Sequence, residues 1–172
     1  MPLNHRSASA AAAAALCLLA LTACDPPRIS ELQPGVSTEA DVRDRFGAPE
    51  NVWNEPGGAR TFEYNRQPAG QVNYMITIGA DGRMAALRQV LTPDNFERVQ
   101  PGMGMDAVRR LLGKPAKVAP FALQNETHAT WRYLQPPNQP KVFTVVYGPE
   151  QRVLRTQTGD DLDAPEFKGG GR

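Results

Sequence analysis

The chain has 172 residues, and its 19 basic and 18 acidic side chains give a formal net charge of +1 at pH 7. This near-neutral balance, without a run of basic residues, argues against a nucleic-acid partner and against electrostatic adhesion to anionic lipid. Glycine and proline are plentiful, with 15 and 16 residues, and aromatic residues make up 7%. Such a composition is typical of short elements joined by many turns.

Residues 1–23 have the pattern of an export signal. His5 and Arg6 precede an Ala/Leu-rich run that is too short for a membrane span, and the segment contains no acidic residue. The run ends in Leu21-Thr22-Ala23-Cys24, which resembles the bacterial lipobox, where a small residue precedes the cysteine that receives the lipid. A plain secretory signal and a simple anchor helix are the alternatives.

The resemblance to lipoproteins implies cleavage between Ala23 and Cys24, a diacylglyceryl thioether on the Cys24 sulfur and an acylated amino group. Stable membrane anchoring needs two membrane-binding signals, and the three acyl chains of such a lipoprotein exceed that number. Cys17 leaves with the signal, so no thiol remains for a disulfide, a metal site or a nucleophile. We favour the outer membrane, facing the periplasm. Asp25 resembles the inner-membrane retention signal of enteric bacteria, so the inner membrane stays an alternative.

After a lipidated tether at 24–28, stiffened by two prolines, the chain repeats itself. QPGVSTEADVRDRFGAP at 33–49 recurs as QPGMGMDAVRRLLGKP at 100–115, which gives a repeat of 100 minus 33, or 67, residues. The shared motif positions are Pro34, Gly35, Val42, Arg43, Gly47 and Pro49 in the first copy and Pro101, Gly102, Val108, Arg109, Gly113 and Pro115 in the second. The length of the repeat predicts two α+β modules, at 29–92 and 93–158.

Each copy of the motif predicts a Pro-Gly loop, a helix and a stop. In the first copy Thr38 and Asp41 form a capping-box pattern, and Gly47 takes the place of a left-handed C-cap residue. Short helices at 28–32 and 93–99 complete a helix-loop-helix in each module. The repetition of one arginine in both helices suggests a structural duty, with a contact surface as the second reading.

An antiparallel β-meander is predicted to follow each helical part. The expected strands are 50–53, 60–64, 74–78 and 84–91 in the first module and 116–119, 130–134, 141–147 and 153–157 in the second. We expect the two sheets to be joined. Residues 159–172, with several aspartates and a run of glycines, predict a disordered tail.

The sequence offers no catalytic residue, metal site or cofactor. His128 has no second ligand at metal spacing, so an exposed loop or a strand edge is expected for it. G-x-S-x-G, P-loop and HExxH patterns are absent from the sequence. Trp53 and Trp131 could be interface anchors, although packing of a helix onto the sheet is the commoner role of a half-buried tryptophan.

The Pro-Gly loop, the helix that ends in Gly-x-Pro and the β-meander together resemble the BamE family, also called SmpA/OmlA. The resemblance covers about 29–158, and the lipobox supports it. It implies a small outer-membrane lipoprotein associated with the machinery that inserts β-barrel proteins. A typical member has one module, whereas two modules in one chain resemble the β-lactamase inhibitory protein fold, whose sheets join into a curved surface.

We therefore expect a non-catalytic, periplasm-facing lipoprotein that acts as a protein-binding scaffold. Its expected partners are the membrane, through the lipid, and envelope proteins such as the β-barrel assembly machinery. One alternative is a lipid-anchored inhibitor or modulator that clasps another envelope protein with a concave sheet. Another is a spacer without a protein client.

Overall fold

The computed structural model describes residues 29–164. Ile29–Glu31 form a single 3-10 turn, and the described residues from Leu32 onward belong to one compact unit. The described part of the helix predicted at 28–32 is thus one turn, and Pro34 disfavours a helical conformation of Gln33 just after it. The predicted signal and tether, including Cys24, and residues 165–172 lie outside the described range.

The strands form two four-stranded antiparallel sheets, each ordered as in the chain. The first sheet contains β1 (Asn51–Asn54), β2 (Arg60–Asn65), β3 (Asn73–Ile78) and β4 (Met84–Gln89), and the second contains β5 (Lys117–Phe121), β6 (Glu126–Gln135), β7 (Gln139–Tyr147) and β8 (Val153–Asp160). The α+β class and all eight predicted strands are confirmed. A joined sheet is wrong, since the two ladders share no pair of strands.

Within residues 29–164 three α-helices accompany the sheets: α1 (Glu39–Phe46), α2 (Pro93–Glu97) and α3 (Met105–Leu112). The capping box predicted for α1 is present, with the Thr38 N–H donating to Asp41 Oδ2 at 2.7 Å. Both α1 and α3 end at a glycine with positive φ, 81° at Gly47 and 76° at Gly113. Their ψ angles of −159° and −174° lie outside the left-handed helical region that we predicted, in a region essentially confined to glycine.

The Pro-Gly loops are held against the hairpin turns by similar bonds in both modules, although the two arginines donate to carbonyl groups at non-equivalent positions, Val36 and Gly102. The N–H groups of Gly35 and Gly102 donate at 2.8 Å to the first carbonyl oxygens of β4 and β8. Arg83 and Arg152, in the two hairpin turns, donate from Nη1 to loop carbonyl oxygens at 2.8 and 2.9 Å. The repeated motif therefore encodes a loop-to-turn joint as well as a helix stop.

The helices and sheets pack in layers. α1 covers one face of the first sheet, where the Phe46 ring lies 4.9 Å from that of Tyr64. α3 contacts the opposite face of the same sheet and contributes Val108 and Leu112 to the core of the second module. α3 thus lies between the two sheets. None of the described helices is long and apolar enough to cross a membrane.

The predicted disordered tail is wrong for its first six residues. β8 continues to Asp160, and Asp161 and Ala164 are buried. Asp161 Oδ2 accepts from Arg132 Nε at 2.6 Å, so an ion pair holds this segment against β6. The acidic composition of this segment led to the prediction of disorder. Its basic partner, Arg132, lies 29 residues earlier, so the sequence did not show that the two would pair.

Candidate binding pocket

A buried carboxylate joins the two modules. Glu63 on β2 is fully buried and accepts from the Lys114 N–H at 2.8 Å. Arg109 on α3 donates to it from Nε and Nη2 at 3.3 and 3.4 Å. The matching Arg43 contacts Glu39 at 2.8 Å within α1 and lies over the ring of Phe62. The same motif position therefore makes an inter-module contact in one copy and an intra-module contact in the other.

Two buried amide side chains complete the joint. Asn73 Nδ2 donates to the carbonyl oxygens of Leu112 and Lys114 at 2.9 and 3.1 Å. Gln67 pairs with the backbone of Arg132, donating to its oxygen at 2.8 Å and accepting from its N–H at 3.1 Å. Gln67 thereby occupies the edge of β6 beyond the last residue that β5 pairs. These bonds fix how the first sheet meets α3 and β6.

A pocket of about 340 Å³ lies beside this joint. Strands β3 and β4 supply one wall, and α2, α3 and the loop between them supply the other. We call it the arginine pocket and define it by its lining residues: Met75, Arg88, Val90, Asn95, Arg98, Met103, Ala107, Arg110 and Leu111. The pocket thus needs both modules, and the described lining contains no acidic side chain.

The three arginines of the pocket have no carboxylate partner within residues 29–164. Arg98 donates from Nη1 to the side-chain oxygen of Asn95 at 3.0 Å, and Asn95 is itself held by the Val90 carbonyl. The Arg110 guanidinium lies 4.4 Å from the centroid of the Trp53 ring. Arg88 makes no ion pair or side-chain hydrogen bond in the described part of the chain. All three side chains are exposed.

Basic side chains elsewhere behave differently, since many of them contact a carboxylate. These pairs are Arg43 and Arg60 with Glu39, Arg109 with Glu63, Lys114 with Glu50, Arg132 with Asp161, Lys141 with Asp160, and Arg155 with Glu126. The arginine pocket therefore concentrates positive charge that residues 29–164 leave without a carboxylate partner. Guanidinium groups in such a position can bind carboxylate or phosphate in a bidentate manner.

The two tryptophans have different environments. Trp131 is 1% exposed and donates from Nε1 to the Gly113 carbonyl at 2.9 Å, as the Tyr64 hydroxyl does to Gly47 in the first module. A buried Trp131 cannot anchor a partner at the surface. Trp53 is half-buried beneath Arg110, and its indole N–H is buried without a hydrogen-bond partner among the described residues. Sequence reasoning named Trp53 but missed the three arginines, because no motif connects them.

A second cleft, of about 430 Å³, lies between α3 and the open side of β5. Tyr147 lines it and is fully buried, and burial raises the pKa of its hydroxyl, which has no hydrogen-bond partner within the described residues. Two of its basic side chains, Arg109 and Lys114, already contact glutamates. This cleft is therefore less suited than the arginine pocket to bind an anion.

His128 lies within β6, because that strand begins at Glu126 rather than at residue 130. Its Nε2 is 3.0 Å from Glu126 Oε2, and its ring is 4.1 Å from that of Phe121. Hydrogen bonds from Arg155 and then from His128 lower the pKa of Glu126 to about 2. In residues 29–164 no group of three or more His, Cys, Asp or Glu side chains could hold a metal ion.

Comparisons with known proteins give distant likenesses. No family model matches the chain, and no curated protein matches it. A DUF4309 family protein from Bacillus subtilis is 19% identical, with 76% of this chain and 82% of that chain covered and a TM-score of 0.30. A candidate beta-lactamase inhibitor protein from Streptococcus mutans is 8% identical, with 72% and 83% covered and a TM-score of 0.34. At these scores the two likenesses establish neither a family nor a function for this chain.

Proposed function

We propose that the chain is a non-catalytic lipoprotein, anchored through Cys24, that binds another envelope protein on its periplasmic side. The observation that carries the binding role is the arginine pocket with Trp53 at its side. Arginine, tryptophan and methionine are the residue types enriched where protein interfaces bury their cores and concentrate binding energy. Three exposed arginines that have no carboxylate partner within residues 29–164 are accordingly suited to receive a partner's side chains.

Membrane anchoring rests on the sequence from Leu21 to Cys24. Lipid at the N-terminus would confine the folded modules to the membrane surface, where a partner need not be captured from dilute solution. The outer membrane is the proposed location, with Asp25 as the feature that favours the inner membrane instead. The acyl chains anchor the protein, and surface complementarity does the binding.

We propose the β-barrel assembly machinery as the partner class. The reason is the resemblance of the motifs around Gly35 and Gly102 to those of the BamE family. In the structure those motifs form the loop-to-turn joints and the helix ends. The inhibitor alternative required a continuous concave sheet. The two sheets are separate and α3 contacts one face of the first, so an inhibitor would have to use a surface other than a joined sheet.

The binding role can be tested by crosslinking in living cells, followed by purification of the tagged lipoprotein. Recovery of β-barrel assembly components is the expected result. Enrichment of a different envelope protein would keep the binding role and change the partner. A lipoprotein that is purified at its native level without any enriched protein would contradict the proposal, and the spacer role would replace it.

A further inference from the structure

We infer that the arginine pocket binds an acidic segment of a partner protein, in which carboxylates alternate with apolar side chains. This inference deepens the proposed function and rests on it.

The charge of the pocket selects the chemistry of its occupant. Arg88, Arg98 and Arg110 come from three different elements, β4, the C-terminal end of α2 and α3, and all of them line one pocket without an acid. Bringing three cations together is unfavourable unless an anion joins them. Arginine also matches the geometry of a carboxylate with two parallel N–H···O bonds, which a lysine cannot supply.

The walls of the pocket select for apolar neighbours of those carboxylates. Met75 is buried at its floor, and Met103 and Leu111 are half-buried beside it. Burial of a ligand's apolar groups against these side chains would contribute favourable binding free energy, which a small inorganic anion without apolar groups cannot gain. Methionine adapts to side chains of different shape and is common at peptide-binding surfaces.

The pocket is sized for side chains, not for a folded domain. A volume of about 340 Å³ is at the lower end of ligand pockets and would receive a few side chains of an extended segment. Arg98 is held by Asn95, and Arg110 by the Trp53 ring, so two of the three guanidinium groups are already oriented. Because these side chains are already oriented, less conformational entropy is lost when a ligand binds.

The test uses the full-length lipoprotein in detergent and a fluorescein-labelled peptide of alternating aspartate and leucine, with binding measured by fluorescence anisotropy. The matched peptide has asparagine in place of aspartate. We expect saturable binding of the aspartate peptide, and affinity for the asparagine peptide that is at least about tenfold weaker. Equal affinity for the two peptides would overturn the inference.

Single substitutions locate the site. Arg88→Gln, Arg98→Gln and Arg110→Gln should each weaken binding of the aspartate peptide by about tenfold. Lys117→Gln is the matched control for Arg88→Gln, because it also removes one positive charge from an exposed strand residue that has no described side-chain partner. Loss of binding in the control, or retention in all three arginine variants, would contradict the assignment. The urea midpoint of each variant, unchanged from wild type, shows that the fold persists.

Two further outcomes separate the possible failures. Saturable binding of inorganic phosphate, with no binding of the aspartate peptide, would assign the pocket to a small anion and overturn the inference. If a partner co-purifies from cells equally well with wild type and with the Arg88→Gln variant, the scaffold role stands and the pocket is not its site. If the peptide binds in vitro but no partner is recovered from cells, the proposed function fails although the chemistry of the pocket holds.

Discussion

At the scale of single residues, Glu63 is a fully buried charge on which we expect stability to depend. It is fully buried and accepts hydrogen bonds from Arg109 and the Lys114 N–H. Glu63→Gln would place an amide group against the guanidinium and remove the negative charge that compensates it. We expect a loss of about 2 kcal/mol in the free energy of unfolding, measured by urea denaturation.

The control for this prediction is Glu50→Gln. Glu50 pairs with Lys114 at 2.6 Å, but both side chains are well exposed. Exposed ion pairs contribute little, so the expected loss is below about 0.5 kcal/mol. Equal effects of the two substitutions would mean that Glu63 does not hold the modules together.

Glu126 makes the stability of the second sheet depend on pH. Its pKa is lowered from 4.5 to about 2, first by the hydrogen bond from Arg155 and then by that from His128. Because the folded pKa is below the unfolded one, its stabilising contribution is full above pH 4.5 and is lost as the pH falls towards 2. Glu126→Gln should therefore flatten the dependence of Tm on pH in this window. An unchanged slope would show that Glu126 titrates normally.

At the scale of elements, the two helix-ending glycines form a natural comparison. Both have positive φ, but a Cβ on Gly47 would meet nothing within 4 Å, whereas one on Gly113 would lie 2.9 Å from Asn73 Nδ2. Gly47→Ala carries backbone strain of about 1 kcal/mol. Gly113→Ala adds a collision that displaces the Asn73 amide from its two carbonyl partners, so we expect about 3 kcal/mol. Thermal unfolding of the two variants decides; equal losses would contradict this account of the joint.

The edge of β6 gives a second prediction at this scale. Gln67 satisfies both backbone groups of Arg132 with one side-chain amide. Gln67→Met keeps the length of the side chain but leaves those groups without this partner, with an expected loss of about 2 kcal/mol in urea denaturation. Gln157→Met, at an exposed position of β8, is the control and should stay within about 0.5 kcal/mol of wild type. A Gln67 variant as stable as that control would exclude the role of the amide as an edge partner.

The sequence predicts local elements well because their causes are local. Thr38, Asp41 and Gly47 define α1 within nine positions of the chain, and the duplication allows the same reading for α3. The sequence alone could not predict the contact between Glu63 and Arg109, because that contact depends on how one module lies against the other. The prediction of a disordered tail from residue 159 was wrong for a similar reason, since Asp161 is held by an ion pair with Arg132, 29 residues earlier in the chain.

At the scale of the whole molecule, we propose that anchoring and binding belong to separate parts of the chain. Cys24→Ala should abolish metabolic labelling with a radioactive fatty acid and leave an unprocessed precursor, because the lipid-accepting sulfur is lost. Cys17→Ala is the matched control, since that cysteine is expected to leave with the signal. Labelling that persists in the Cys24 variant would contradict the lipoprotein assignment.

The arginine pocket is also a property of the whole molecule, because both modules contribute to it. The arginine pocket is built from β3, β4, α2 and α3, so its lining residues are spread from Met75 to Leu111 and no spacing rule connects them. Trp53 was the one neighbour of the pocket that the sequence singled out, as a residue type common at interfaces. The three arginines stand out only in the structure, where the described residues give them no carboxylate partner of the kind that many other basic side chains contact.

The most direct test of the central claim is site-specific photocrosslinking in living cells, with a photoreactive amino acid replacing Ala107, an exposed lining residue of the arginine pocket, or Leu154, an exposed residue of β8. We expect position 107 to capture an envelope protein through an acidic segment, and we expect Arg88→Gln together with Arg110→Gln to abolish the crosslinked product. Capture at position 154 with none at position 107, in protein that is expressed at the same level, would contradict it.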